Sequence, residues 1–257
     1  MNVLILMAGD GKRFTDEGIT TPKPFIEVKG KPILEWTTRS LPFISHAYDD
    51  LDFTIAPDNL FFAIRQEHED AGYCKYLREM YGEDINFIVF QKTTRGNMET
   101  AYVSTLSMSP DEPLLILDSD NKYDDEGLID TLSEAIEFDD SMVVTYFDPI
   151  DADPKWAFVF TDGALVTKIV EKDPQALAAG GSPLVGTFWF KTTALFQRYA
   201  DALIQTNTRS GTAGREEFYV SQVPSTHVKN GGVVFAHKVS DVVPLGTPTD
   251  VEKFRNA

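Results

Sequence analysis

The chain alternates short apolar runs with longer stretches of helical composition, and that alternation limits the folds open to it. Val3–Met7, Asp52–Ala56, Asn86–Gln91 and Leu114–Leu117 are short, apolar and bounded by Gly, Pro or Asp. Between them the pattern predicts helices over Ile33–Ser45, Asn59–Tyr81 and Met98–Met108, then a helix near Asp125–Phe138 and a strand at Met142–Phe147. Strands that read as continuous apolar runs are buried on both faces. This order therefore predicts an α/β fold with a mixed, mostly parallel sheet and helices on both sides. Beyond residue 150 the pattern changes. Ala157–Thr161 and Leu165–Glu171 flank Asp162-Gly163, a two-residue hairpin signal, and Val185–Phe190 is a further strand. Ala176–Ser182 and Thr206–Gly214 are small, polar and Gly-containing, as mobile loops are. The expectation is a single domain, 1–257, with one continuous sheet and two functional halves, 1–150 and 151–257.

Composition excludes several classes. With 42% hydrophobic residues the chain can bury a core. No apolar run reaches the ~18 residues of a membrane span. Val3–Ala8 is too short and lacks a basic flank, so it reads as a buried strand and not as a leader. Cys74 is the only cysteine, which rules out an internal disulfide, and the absence of a targeting signal favours the cytoplasm. The formal net charge of −17 argues against a nucleic-acid partner, whose phosphates need a basic face. Any anionic ligand must be met by local positive charge: a few Lys and Arg, backbone N–H groups and a metal.

The sharpest local signal is Leu4-Ile5-Leu6-Met7-Ala8-Gly9-Asp10-Gly11-Lys12-Arg13-Phe14. A buried strand ends in two glycines that let the backbone turn and approach a ligand, where exposed N–H groups can cradle phosphates. Arg13 adds a planar fork of donors. A dinucleotide fingerprint would need glycine at position 14, which is Phe14, and the Gly-Lys-Ser/Thr of a P-loop is missing. Lys23 follows between Pro22 and Pro24, which present its cation with little freedom. Gly30-Lys31-Pro32 then leads into the predicted helix at Ile33.

This opening resembles that of the sugar-phosphate nucleotidyltransferases: strand, Gly-x-Gly-x-Arg-Phe, Pro-Lys-Pro, Gly-Lys-Pro, helix, in order over the first 36 residues. The resemblance implies a nucleotide-diphospho-sugar-transferase fold, a GT-A-like relative of the Rossmann arrangement. It implies that Ala8, Gly9, Gly11 and Arg13 hold the phosphates of an NTP and that Lys23 contacts the reacting phosphates. Gln91 and Gly96 match, at their spacing, the Gln and Gly that contact the base in thymidylyltransferases of the family. A Gln offers both donor and acceptor to a base edge, but the same residue would also suit a strand end beside a turn glycine. A pyrimidine NTP is favoured.

Leu114–Leu117 runs into Asp118-Ser119-Asp120, two carboxylates at the carboxyl end of a strand, where open α/β sheets place their ligands. In an extended chain the pair faces one side, and carboxylate plus phosphate oxygens suit Mg²⁺. Loop solvation and helix capping would account for the same pair. By resemblance Asp120 is the family's metal aspartate, with Asp118 beside it. The family's closing Asp-x-Gly-Thr-Pro appears here as Pro244-Leu245-Gly246-Thr247-Pro248, which removes a second metal ligand; Asp241 is the nearest replacement. In the acceptor half, Glu171-Lys172 resembles a segment whose Glu binds a sugar hydroxyl and whose Lys binds the acceptor phosphate. Gly186 matches a glycine against the acceptor, and Arg215–Tyr219 follows a loop that can close over it. Trp156-Ala157 departs from the family's Tyr-Gly, which leaves the acceptor's identity open.

The resemblance thus implies a magnesium-dependent nucleotidyltransferase joining an NTP to a phosphorylated small molecule, in nucleotide-sugar and polysaccharide precursor synthesis. Homo-oligomers are compatible with this reading. A GT-A glycosyltransferase using a nucleotide sugar is the first alternative, though Arg13 and Lys23 suit a triphosphate better. A non-catalytic nucleotide-binding regulator is the second, with Pro244 its best support. His46, His68, His227 and His237 show no metal-ligand spacing.

Overall fold

The computed structural model describes residues 1–39, 41, 55–125, 127–150 and 155–257. Its strands are β1 (Asn2–Leu6), β2 (Glu27–Val28), β3 (Lys31–Pro32), β4 (Leu60–Arg65), β5 (Asn86–Phe90), β6 (Leu114–Asp118) and β7 (Asn121–Asp124). They continue with β8 (Met142–Tyr146), β9 (Ala157–Asp162), β10 (Leu165–Glu171), β11 (Ser182–Phe190), β12 (Val234–Lys238) and β13 (Ser240–Pro244). The helices are α1 (Lys12–Thr15), α2 (Ile33–Arg39), α3 (Gln66–Asp70), α4 (Tyr73–Tyr81), α5 (Asn97–Thr105), α6 (Leu128–Ala135), α7 (Thr193–Gln205), α8 (Gln222–Lys229) and α9 (Pro248–Asn256).

Among the described residues one nine-stranded sheet runs through both halves, in the order β5-β4-β1-β6-β11-β8-β12-β10-β9. The four strands from β5 to β6 are mutually parallel. β11 then enters antiparallel to β6, and β8 and β12 pair in parallel beyond it. Side chains alternate across the strands. Leu4, Leu6, Leu114, Ile116, Val144 and Phe188 pack on one face with Met98 and Ala101 of α5, Leu195 and Phe196 of α7 and Val223 of α8. Val3, Ile5, Leu115, Leu117, Val143 and Trp189 pack on the other with Leu34 of α2, Leu77 of α4 and Leu128 and Leu132 of α6. A helix layer on each face covers the central strands, which are mainly apolar, and β1 is buried along its length. A third, smaller cluster joins Phe14, Ile26, Val28 and Ile33 to Leu245 and Val251, and so ties the first forty residues to the chain's last helix.

Several expectations shift, and others reach beyond the described residues. The helix read over Asn59–Tyr81 begins instead with β4, five buried apolar residues followed by Arg65, and only then turns into α3 and α4. The strand expected at Asp52–Ala56 falls largely outside the described residues, and Ile55 and Ala56 are not in a strand; β4 takes its place beside β1. The helix from Ile33 is described to Arg39; Ser40 and residues 42–45 lie outside the described residues. The hairpin turn is Gly163-Ala164, one residue later than expected, because Asp162 still pairs with Leu165 and Gly163 supplies the positive φ of 57°. Ser182 already belongs to β11, which shortens the loop before it.

The sheet also explains one glycine. Thr187 of β11 lies opposite Leu117, so Gly186 lies beside Asp118 at the end of β6. Gly186 has φ 87°, and a Cβ there would come within 2.4 Å of an Asp118 carboxylate oxygen. Gly186→Ala should therefore destabilise the protein by at least about 1–2 kcal/mol, the cost of left-handed backbone in a non-glycine residue. Urea unfolding reads this directly; a midpoint equal to wild type would contradict the close approach.

Candidate functional site

The site forms where β1 and β6 end. After β1 the chain turns through Gly9-Asp10-Gly11 into the single helical turn of α1, with Gly11 at φ 60° and ψ 20°. The Asp10 carboxylate accepts from the Lys12 N–H at 3.1 Å and braces the turn. A Cβ on Gly9 would meet nothing within 4 Å, so that backbone faces open space. Phe14, 1% exposed, anchors the loop into the third cluster. Lys23 opens a 3₁₀ turn, Lys23–Phe25, and its Cβ lies 3.8 Å from where a Gly11 Cβ would be. The lysine stem thus packs along the glycine turn while its ammonium donates to Asp120 Oδ2 at 2.7 Å.

Asp118 is the last residue of β6, and the chain bends at Ser119-Asp120 before β7. Ser119 is buried and donates to the Leu6 carbonyl at 2.9 Å, which locks this bend to the end of β1. Both carboxylates line one cavity of about 410 Å³ together with Ala8, Gly9, Lys23, Gly96 and Asn97. The pair is brought together by the bend, not by the straight strand that the i, i+2 argument assumed. Burial and the neighbouring Asp120 charge push the Asp118 carboxyl well above the usual range, while Lys23 and a hydrogen bond from the Asn97 side chain pull it back. The Asn97 amide oxygen accepts from the Val220 N–H at 3.0 Å, so its NH₂ is the group left to face Asp118.

A wider cleft of about 890 Å³ shares Gly9, Lys23, Asp120 and Glu217 with this cavity and runs on to Gly11, Lys12, Arg13, Lys155, Lys172, Arg215 and Tyr219. Six of its lining residues are Lys or Arg and four are Asp or Glu, in a chain with 23 of the former and 40 of the latter. Positive charge is therefore concentrated here against the sign of the whole molecule.

Of the three residues expected on the acceptor side, Lys172 lines this cleft, while Glu171 and Gly186 stand behind its wall. β10 ends at Glu171, and Lys172 adopts φ 50°, so the alternation of sides is broken. The Lys172 ammonium donates to the Tyr219 hydroxyl and lies 4.1 Å from the centroid of its ring. Glu171 accepts from the Ser221 hydroxyl, and burial pushes its carboxyl up. Segment 218–220 is stitched to the loop before α5: the Phe218 N–H donates to the Arg95 carbonyl and the Met98 N–H to the Phe218 carbonyl, each at 3.0 Å. A Cβ on Gly96, at φ 146°, would lie 2.3 Å from the Phe218 oxygen. Gly96 is thus required by this backbone crossing whether or not it touches a ligand.

Gln91 is the predicted site residue that the structure does not bring in. It is exposed just past β5, donates to Gln66 Oε1 at 2.7 Å and does not line the cavity, where Thr93, Thr94 and Thr100 stand instead. Asp241 does not reach the carboxylates either. It is exposed at a bulge of β13, while the register sets Pro244 opposite Asn121. Leu245 N–H donates to the Asp120 carbonyl, and a Cβ on Gly246 would lie 3.0 Å from Asp120 Oδ2, so glycine backbone and not a carboxylate closes that side. Asn97 and Lys155 went unread as site residues, because partners distant in sequence, Val220 and Asp250, help to place them.

Among the described residues no group of three or more His, Cys, Asp or Glu is arranged to hold a metal. Two carboxylates at a cavity with room for phosphates nonetheless fit Mg²⁺, which uses one or two carboxylates and takes its remaining ligands from phosphate and water.

Comparison with known proteins agrees with this geometry. Residues 2–213 match the family described as nucleotidyl transferase. No curated protein sequence matches the chain. Among solved structures, the chain resembles a nucleoside-diphosphate-sugar pyrophosphorylase from Vibrio cholerae RC9 at TM-score 0.77 and 18% identity, over 99% of this chain and 100% of that one. It resembles the inositol-1-phosphate CTP transferase from T. maritima at TM-score 0.68 and 15% identity, over 99% and 94%. A UDP-glucose pyrophosphorylase complexed with UDP-glucose gives 0.71 and 14%, over 99% and 97%. At these identities the likenesses establish the fold, and the family match covers most of the chain. The chain is a member of the nucleotidyl transferase family.

Proposed function

We propose that the enzyme transfers a nucleotidyl group from an NTP, pyrimidine favoured, to the phosphate of a sugar phosphate or similar small phosphomonoester, and releases pyrophosphate. The observation that carries this reading is the band of cations along the cleft, from Lys12, Arg13 and Lys23 to Lys155, Lys172 and Arg215, beside the Asp118–Asp120 pair. Such a band suits two phosphate groups brought together. The base is assigned to the wall formed by Gly96, Thr93 and Thr94.

An acceptor phosphate oxygen forms a bond to the α-phosphorus as the bond to the bridging oxygen breaks, and that electron pair leaves on pyrophosphate. The acceptor phosphate is already largely dianionic near neutral pH, its second pKa being about 6, so no residue has to remove a proton. Catalysis is then positioning and charge stabilisation. The Gly9–Gly11 backbone and Arg13 hold the departing phosphates, Lys23 meets the α-phosphate, and Lys172, steered by Tyr219, holds the acceptor phosphate. Glu171 accepts from an acceptor hydroxyl, and Gly186 leaves Asp118 its place. Asp118 and Asp120 would hold Mg²⁺, which when bound neutralises phosphate charge. Nucleotide substrates, a single cysteine and the lack of a membrane-crossing helix among the described residues fit a cytoplasmic enzyme.

Pyrophosphate release, assayed with each NTP against sugar phosphates and polyol or amino-alcohol phosphates, tests the reading. Release that requires one NTP and one acceptor together is expected; NTP binding with no release for any pair would contradict it. With the active pair, Arg13→Ala should lower kcat about 10²- to 10³-fold, the usual cost of removing one transition-state donor. Lys172→Ala should chiefly raise the acceptor KM and leave the NTP KM near wild type. Equal shifts in both KM values would remove Lys172 from the acceptor side.

A further inference from the structure

We infer that Lys23 makes cation binding depend on nucleotide binding, by exchanging the Asp120 carboxylate for a phosphate; the inference deepens the reading above and rests on its nucleotide site. Lys23 Nζ donates to Asp120 Oδ2 at 2.7 Å, and each side chain is 24% exposed. The other carboxylate oxygen, Oδ1, accepts from the Asn121 NH₂ at 3.0 Å. Gly246 closes on Oδ2 from a third direction, where even a Cβ would lie 3.0 Å away. Both oxygens of Asp120 are thus engaged, one of them in a partly buried, charge-assisted bond, which is among the stronger hydrogen bonds a protein makes.

A divalent cation arriving alone has to break that bond and sit beside the ammonium it displaces. The backbone that carries the ammonium is held in place. Pro22 and Pro24 fix the backbone on either side, and the stem lies against the Gly11 turn. Asp118 by itself offers a single further carboxylate, since no third acidic residue joins the pair among the described residues. A triphosphate on the neighbouring glycine loop changes the balance. It gives the ammonium a new anion within the same cleft, and Asp120 Oδ2 is released as Lys23 moves onto it. The coupling is reciprocal: nucleotide raises the affinity for the cation, and the cation raises that for nucleotide by the same factor.

Chelation by the phosphates themselves would also make cation and nucleotide bind together, so the decisive test omits nucleotide. Mn²⁺ binding is followed by the loss of its free electron paramagnetic resonance signal in wild type, Lys23→Met and the double variant Lys23→Met, Asp120→Asn. Lys23→Met should bind Mn²⁺ more tightly than wild type, by about 5- to 150-fold, the usual span of a coupling between two sites. The double variant should lose that gain. Equal Mn²⁺ affinity in wild type and Lys23→Met would overturn the inference, as would a gain that survives in the double variant. Lys23→Gln, which keeps a neutral hydrogen-bond donor, gives the same comparison if the methionine variant fails to fold, and it should also bind more tightly than wild type. These readouts need no turnover, so they stand apart from the pyrophosphate assay, whose failure would instead remove the catalytic reading.

Discussion

The site depends on one boundary in the sheet, where β6 has the parallel β1 on one side and the antiparallel β11 on the other. Ligands of open α/β sheets collect at the carboxyl ends of strands where the connectivity reverses. Here that crevice receives the glycine turn from β1, the carboxylate pair from β6 and, from β11, the glycine that leaves Asp118 its space. The crossing of Gly96 with Phe218 then carries Glu217 and Tyr219 to the same point, so that the wall of the acceptor half is fastened to the loop before α5.

Electrostatics gives this boundary its chemistry. A chain of net charge −17 repels anions at long range, so affinity for phosphates must come from groups close to the ligand in a cleft of low effective dielectric. The six Lys and Arg lining the cleft meet that need. One of them is already paired with a carboxylate, and the pairing makes Lys23 and Asp120 a unit instead of two independent ligands. The protein thereby avoids leaving either charge unpaired in a partly buried position, which is costly.

How much of this was legible in the sequence follows from whether each feature is local. The glycine turn, the proline-flanked lysine and the Asp118-Ser119-Asp120 run are dictated by neighbours within a few residues, and they fall together as the motif suggested. β4 was hidden because its five apolar residues and Arg65 run straight into Gln66-Glu67-His68-Glu69-Asp70, whose helical character spread backwards into the reading. Lys172 follows the last residue of β10, and its positive φ takes it out of the alternation of that strand, a backbone feature that its neighbours in sequence do not announce. Gln91 had the right chemistry and spacing, yet Gln66 engages it at the rim, an interaction between two elements that composition does not reveal. Asn97 read as a helix start; its amide bridges Asp118 and Val220, and no local pattern encodes that.

The central claim is that an acceptor phosphate attacks the α-phosphorus, and the fate of labelled phosphates tests it most directly. NTP labelled in turn at the α- and γ-phosphate is incubated with enzyme and acceptor, and the products are separated. The account predicts α-label in the nucleotide–acceptor product, joined through a new P–O–P linkage, and γ-label in pyrophosphate alone. Transfer of the γ-label to the acceptor would mean attack at the terminal phosphorus, and the assignment of Lys23, Arg13 and Lys172 would have to be abandoned.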